Sequence, residues 1–330
     1  MNVIKRIFAV LLSLAICFSM CTVRPLALTD DLNGVYDALR DGFYRFSESI
    51  DISEFGIMPE ELSSVLATVL KDDPYLFFVD GQMSYSFIPG GKVLAVKPQY
   101  IFSGEEAFKA WDICRAQVRS LAQSAQQFTG DLEKALYLHD AICLAYEYDN
   151  TLESDNMYSF FLSGRGTCQS YTHAYMAALR ECGIESHYVA SDTIEHIWNY
   201  VKLDGEWYHV DLTWDDSSAE TSGVSRRHFL CSDKVATERG HKDWYSSVAV
   251  TCLSERFAKY DFDALVGETH LPLDADHDGS IGMSDLLLVR YYIANGAAKK
   301  ICIACADGDG DGCLSEHDTA LVRKKLLGTD

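Results

Sequence analysis

The chain has 330 residues, 48% of them hydrophobic and 12% aromatic, enough to bury a core in two or three modules and too many for a disordered chain. Its formal net charge of −21 leaves no surplus of lysine and arginine to displace phosphate counterions, which argues against nucleic acid as a partner.

The N-terminus, MNVIKR followed by IFAVLLSLAICFSM, has the basic start and short apolar run of a secretory signal peptide. The run is shorter than the roughly 20 residues of a membrane span. Residues 1–27 therefore read as a leader cleaved near Ala27, and the mature protein as secreted without stable membrane insertion. Ile16 and Met20, before Cys17 and Cys21, are not the small residues of a lipoprotein site. Eleven cysteines less these two leave an odd number, so at least one thiol has no disulfide partner.

Residues 28–130 mix helix and strand. LNGVYDALRDGFYRF and EELSSVLATVLKDD carry apolar residues at helical spacing, and Pro74 stops the second. YLFFVD, MSYSFI and KVLAVKPQYIF read as strands, broken by Pro89-Gly90-Gly91. EEAFKAWDICRAQVRSLAQSAQQF and DLEKALYLHDAICLAYEYD are predicted long helices, separated at Gly130. No nucleophile or ligand cluster stands out before residue 131, so this part reads as a structural elaboration of the domain C-terminal to it.

GRGTCQSYTHAYMAAL then places Cys168 where a glycine-rich turn becomes a helix over 167–180. The partial positive charge of a helix N-terminus stabilises a thiolate, so a cysteine at that address is a candidate nucleophile. HIWNYVKLDGEWYHVDLTW, residues 196–214, is a hairpin signature turning at Asp204-Gly205. A two-residue turn sets Leu203 opposite Glu206, Trp198 opposite Asp211 and His196 opposite Thr213. His196 and Asp211 are then diagonal neighbours on one face, with Cα atoms about 7–8 Å apart. A slip of one residue would send Asp211 to the other face. Taken singly, a buried structural cysteine, a satisfied strand histidine and a strand-end aspartate are the commoner roles for such residues. Together they make a nucleophile, a base and a residue that orients the base.

GRGTCQSYTHAYMAALRECGI and EHIWNYVKLDGEWYHVDLTWDD resemble the core of the transglutaminase-like superfamily, which includes transglutaminases, bacterial cysteine proteases and peptide N-glycanases. The resemblance is strongest over 130–216, and DDPYLFFVDG and LHDAICLAYEYD look like the upstream part of bacterial members. It implies an α+β, papain-like fold, with a cysteine-bearing helix packed on an antiparallel sheet that carries the histidine and aspartate. It implies Cys168, His196 and Asp211 as the catalytic triad, at spacings of 28 and 15 residues. The implied reaction is acyl transfer from an amide of a protein or peptide, without a cofactor. Water as the acceptor makes a protease or amidase, and a lysine amine makes a cross-linking transglutaminase. Gln169, Trp198 and Trp214 are expected to line the cleft.

A composition change near 262–271 opens the last module, so the expected order is leader 1–27, elaboration 28–130, catalytic domain 131–262, linker 263–270 and a final module 271–330. DADHDGSIGMSD and DGDGDGCLSEHD repeat one pattern 33 residues apart, with Asp at positions 1, 3, 5 and 12 and Gly at 6. Four carboxylates in twelve residues repel one another unless a hard cation gathers them, and calcium takes oxygen ligands at this spacing. The expected ligands are Asp274, Asp276, Asp278, Ser280 (through its carbonyl) and Asp285 for one ion. Asp307, Asp309, Asp311, Cys313 (through its carbonyl) and Asp318 would hold a second. Each loop leads into a helix containing LVR. The duplicated loop–helix unit resembles a type I dockerin, a small all-α calcium-binding module that docks on a cohesin of a cellulosomal scaffoldin. That resemblance implies partner contacts at Met283, Ser284, Arg290 and Tyr291 in one copy, and at Glu316, His317, Arg323 and Lys324 in the other. Cys302-Ile-Ala-Cys305 has redox or metal spacing but lacks the second ligand pair of structural zinc.

These readings combine into a secreted, scaffold-docked cysteine hydrolase, ahead of a transglutaminase. The rival from another class is a non-enzymatic interaction module with a vestigial triad.

Overall fold

The structure is a computed structural model that describes residues 14–17, 30–88, 90–102, 104–126, 128–151, 155–216, 224–260, 262, 272–276, 280–295, 301–309 and 314–328. The chain divides into two compact units, one of residues 1–111 with 244–249, the other of 112–243 with 250–330.

The first unit contains helices α1 (Asp30–Tyr44) and α2 (Pro59–Asp72) and a four-stranded sheet in the order β1-β3-β4-β2. Its strands are β1 (Leu14–Cys17), β2 (Ile50–Asp51), β3 (Val79–Phe87) and β4 (Val93–Tyr100). Leu39 and Phe43 of α1, Val65 and Val69 of α2, and Val93 and Val96 of β4 are fully buried. β1 comes from the expected leader and pairs antiparallel with β3, while the rest of 1–27 lies outside the described residues. YLFFVD departs from expectation, because strand pairing starts only at Val79. Asp73 takes the N–H of Tyr75 on its side chain and that of Leu76 on its carbonyl, which winds 73–78 into turns.

Helix α3 (Gly104–Ala125) runs across the division between the units. The second unit continues with α4 (Asp131–Ala145), β5 (Glu147–Tyr148), α5 (Met157–Ser163), β6 (Arg165–Gly166) and α6 (Cys168–Glu181). A three-stranded antiparallel sheet is built from β7 (Ser186–Ser191), β8 (His196–Leu203) and β9 (Glu206–Val210), in that order. Short helices α7 (Leu212–Asp215) and α8 (Asp233–Glu238) come next. α4 stops at Ala145, short of the expected 149, because Glu147 and Asp149 donate their N–H groups to the carbonyls of Gly164 and Gly166. That parallel pairing fixes the chain beside the turn that precedes Cys168.

α6 lies on β8 with Tyr171, Ala174, Tyr175 and Ala178 fully buried. Two hydrogen bonds fasten helix to strand: Thr172 Oγ1 donates to the Ile197 carbonyl at 3.1 Å, and Asn199 Nδ2 donates to the Thr172 carbonyl at 3.1 Å. The hairpin register has Leu203 opposite Glu206, as the turn chemistry requires, with Asp204 and Gly205 at φ 52 and 82. Pairing ends at Asn199 and Val210. Thr213 is therefore not opposite His196 but lies in α7, and Asp211 is the N-cap of that helix, its side chain accepting from Trp214 N. Residues 272–328 supply α9 (Met283–Asn295), α10 (Ile303–Ala306) and α11 (Glu316–Leu327), around a core of Ala275, Val289, Ile301 and Ala306.

Candidate functional site

Cys168 opens α6, and the two glycines before it are structural requirements. Gly164 ends α5 at φ 74, a left-handed position, and a Cβ on Gly166 would come 2.3 Å from the Phe160 ring and 2.6 Å from Ser170 Cβ. Only a glycine at 166 lets the turn close against α5 and aim Cys168 at the sheet.

His196, the first residue of β8, meets both partners. Its Nε2 lies 2.8 Å from Asp211 Oδ2, and its ring also hydrogen-bonds Cys168. With Nε2 committed to Asp211, Nδ1 is the nitrogen that serves the thiol. Burial opposes charge on the ring, but the charge and hydrogen bond of Asp211, with help from Cys168, push His196 up to about 10. Burial would raise Asp211, but His196 and His241 together hold it well below the usual carboxylate range. The result is an imidazolium clamped between a buried carboxylate and the sulfur of a cysteine that is the first residue of α6, at the helix's positive end. Trp214 stacks on His196 with centroids 5.0 Å apart and planes 7° apart, which holds the ring in the plane of its two hydrogen bonds.

The expected cleft residues divide. Gln169 and Trp214 are half-buried. Trp198 is only 1% exposed and corrects the expectation: it backs His196 from within the core and donates its Nε1–H to His209 Nδ1 at 2.9 Å.

Sequence reasoning missed His241. Its Nε2 lies 2.9 Å from Asp211 Oδ2, the same oxygen that holds His196, while Asp211 Oδ1 accepts from Trp214 N at 3.2 Å. One aspartate thus orients two imidazoles and caps a helix. His241 is buried, with its ring 4.3 Å from Trp214 and 4.5 Å from Trp198. It sits thirty residues beyond Asp211 in RRHFLCSDKVATERGH, where no period or motif points back to the hairpin. His241→Phe keeps the ring packing and removes the donor. It should lower kcat about tenfold, the size of one charge-assisted hydrogen bond of roughly 1.5 kcal/mol, and leave KM unchanged. Steady-state kinetics with urea unfolding of the same variant would separate this from lost stability, and an unchanged kcat would refute it.

A second buried network, also missing from the sequence reading, supports α7. Asp215 accepts from the His228 N–H at 2.9 Å and from Ser225 Oγ at 2.9 Å, and it lies 3.3 Å from His139 Nε2. His139 Nδ1 is 2.8 Å from Asp140, which Arg226 Nη2 grips at 2.6 Å. Burial would raise Asp140 and Asp215, yet His139 and Arg226 lower the first and the hydrogen bonds of His139 and His228 lower the second. LHDAICLAY therefore contributes a buried His-Asp pair that helps fix the tryptophan helix.

His209, Asp233 and Cys252 also converge, with ligand atoms within 4.8 Å of one another. Trp198 occupies the His209 Nδ1 lone pair, so the ring proton is on Nε2 and goes to Asp233 Oδ1 at 2.9 Å. That tautomer offers the trio no nitrogen lone pair, and the cluster is a hydrogen-bonded brace.

In the C-terminal loops, Asp274, Asp276 and Asp285 gather within 4.8 Å, and so do Asp307, Asp309 and Asp318. Asp274, Asp285 and Asp318 are 1%, 0% and 0% exposed. Buried carboxylates brought so close repel, and an all-oxygen cluster of this kind fits a hard divalent cation such as calcium. The two position-12 aspartates are held alike: Asp285 Oδ2 accepts from Gly282 N at 2.6 Å, and Asp318 Oδ2 from Ser315 N at 2.8 Å. Ser280 is described and exposed, while Asp278, Asp311 and Cys313 lie outside the described residues.

Residues 119–212 match the family model described as the transglutaminase-like superfamily, and residues 272–327 that of the dockerin type I domain. The chain carries a transglutaminase-like domain followed by a type I dockerin domain. The transglutaminase-like match ends one residue past Asp211, so it contains Cys168, His196 and Asp211, and His139 and Asp140 of the second network, but not His241, Asp215, Arg226 or His228. A crystal structure of a TGase is similar at 13% identity and TM-score 0.30, over 53% of this chain and 48% of that one. The chain thus spans about half the length of that structure. No curated protein matches the chain.

Proposed function

We propose that the protein is an exported cysteine enzyme that opens amide bonds of proteins or peptides and docks through its C-terminal module on a cohesin of a cellulosomal scaffoldin. The carrying observation is one imidazole bonded to both Cys168 and Asp211, with the cysteine at a helix N-terminus. The Cys168 sulfur attacks the amide carbonyl, and the backbone N–H of Cys168 faces the developing oxyanion. Nδ1–H of His196 protonates the departing amine, leaving a thioester on Cys168. The neutral ring then takes a proton from the acceptor. Water as acceptor makes a hydrolase, the preferred reading; a lysine amine makes a cross-linker. The triad asks for no cofactor.

The acidic loops fit two calcium ions, held by Asp274, Asp276 and Asp285 and by Asp307, Asp309 and Asp318, with Asp278, Ser280, Asp311 and Cys313 completing the sets. Calcium supplies charge neutralisation there and takes no part in the amide chemistry. For docking, α9 exposes Met283, Leu287 and Tyr291 by 60%, 60% and 39%, at successive i, i+4 positions. This apolar stripe, flanked by Ser284 and Arg290, contrasts with exposed Glu316, His317, Arg323 and Lys324 on α11. Leu287 joins the expected contacts, and the contrast favours one docking orientation. The boundaries 28–130, 131–262, 263–270 and 271–330, after a leader at 1–27, are retained as part of this proposal.

The test compares the protein with Cys168→Ala in a mixed extracellular proteome with calcium, reductant and a tagged primary amine. Mass spectrometry scores new peptide N-termini and tagged glutamines together. Cys168-dependent N-termini support hydrolysis, and Cys168-dependent tagging replaces it with transfer. Identical spectra from both proteins would reject an enzyme.

A further inference from the structure

The CxxC pair in the dockerin has no part in the chemistry above. Cys302 and Cys305 are 6% and 0% exposed, and their sulfurs lie 2.9 Å apart, well inside the contact distance of two non-bonded sulfurs. Other buried thiols face different groups: Cys143 Sγ lies 3.5 Å from the Leu212 carbonyl, and Cys231 Sγ accepts from Arg239 Nη1 at 3.1 Å. The turn that holds the pair is bonded to the first calcium loop on both sides of Asp274. Leu273 N donates to the Cys305 carbonyl at 2.7 Å, and Cys302 N donates to the Ala275 carbonyl at 3.0 Å. Cys305 also lies two residues before Asp307, which opens the second loop. The same pair packs on Leu144 of α4 and on Val224.

We propose that Cys302 and Cys305 are a reversible disulfide site that locks the turn joining the two calcium loops. The co-reactant is a small-molecule disulfide. One cysteine thiolate attacks it and expels one thiol, forming a mixed disulfide; the second cysteine attacks that sulfur and expels the other thiol. The protein loses two protons and two electrons, and the small disulfide is reduced to two thiols. Both sulfurs are buried, so exchange runs through opening of the turn, which is slower once the loops are loaded. The bridge pre-orders the backbone on both sides of Asp274, so it tightens calcium binding. By linkage, calcium makes the bridge harder to reduce by the same factor. The calcium half of the inference rests on the metal reading of the loops; the disulfide half does not, and neither depends on the triad.

Full-length Cys168→Ala protein, which lacks the competing active-site thiol, would be equilibrated anaerobically at fixed ratios of reduced and oxidised glutathione, with calcium or with chelator. After acid quench, unfolding and alkylation, mass spectrometry counts labels on the peptide holding both cysteines. The expected result is joint loss of two labels in one two-electron transition, with no glutathione retained. The midpoint ratio should shift with calcium by about fivefold or more. Persistence of both labels at every ratio, or a stable mixed disulfide with glutathione, would overturn the disulfide. A midpoint indifferent to calcium would overturn the coupling. A Cys302→Ser, Cys305→Ser variant should bind calcium more weakly than the oxidised protein by that same factor; where its circular dichroism shows misfolding, the label count decides.

Discussion

Replacing Asp211 by asparagine is expected to slow acyl transfer at Cys168 by about 10³-fold and to move the alkaline end of its pH profile to lower pH. In a serine triad the same change costs about 10⁴-fold, and a thiol, the better nucleophile at neutral pH, leans less on its base. The sign of the pH effect comes from His196. Burial disfavours its charged form, and Asp211 more than compensates, so that the ring stays protonated to about 10. With asparagine, burial is opposed only by the help of Cys168, and the ring gives up its proton at much lower pH than with Asp211. The sulfur then keeps its proton in the resting site, and less of the reactive thiolate–imidazolium pair is present at neutral pH. The same raised value has a stability consequence: the contribution is complete below about 6.5 and is lost as pH climbs toward 10. The variant should lack that alkaline loss. Dimethylated casein is a suitable substrate, because ammonia from glutamines and new amino termini are both read while its own lysines are blocked. A variant profile that superimposes on that of the parent from pH 5 to 10 would refute the ion-pair arrangement.

Replacing Asp285 by alanine should weaken calcium binding at the first loop by about 100-fold and lower the helical signal at limiting calcium. Ligand charge sets affinity in such loops, and small metal-dependent modules fold as they bind. Asp285 also accepts the N–H groups of Asp276 at 3.1 Å and Gly282 at 2.6 Å, so its loss frees the backbone at both ends of the loop. Asp318→Ala should repeat the effect at the second loop, where Asp318 accepts from Gly308 N at 2.9 Å and Ser315 N at 2.8 Å. Calorimetric titration of the full-length variants, with far-ultraviolet circular dichroism, reads both quantities. The proposed function assigns the amide chemistry to Cys168, His196 and Asp211 alone, so amide cleavage in solution should be unaffected. Unchanged calcium affinity in both variants would remove the metal reading.

Much of the site is legible in the sequence because it is built from local patterns. A two-residue Asp-Gly turn admits few registers, and turn chemistry alone is enough to put His196 and Asp211 near each other. The glycines before Cys168 mark a close turn, and apolar spacing after it marks the helix. Expectation fails where the chain's own hydrogen bonds override periodicity. The ladder of β9 ends early because Asp211 caps α7 instead of continuing it. α4 is shorter than its pattern because two of its expected residues pair with the glycine turn. Trp198 lies in the core rather than the cleft because a strand pattern tells which residues share a face, not whether that face is covered.

By itself, the sequence determined the two modules, the helix that opens with Cys168, the hairpin register and the duplicated acidic loops. Each of these is written in residues close together in the chain, where turn geometry and side-chain period act directly. Only the tertiary structure decided that Asp211 holds two histidines, that Asp215 and His139 support the tryptophan helix, and that Cys302 and Cys305 face each other beside the first acidic loop. Most of those partners lie far apart in sequence, and Cys302 and Cys305, though close, depend on how their turn is held. In both cases burial brings the groups together, and the low dielectric of the interior makes their mutual orientation count.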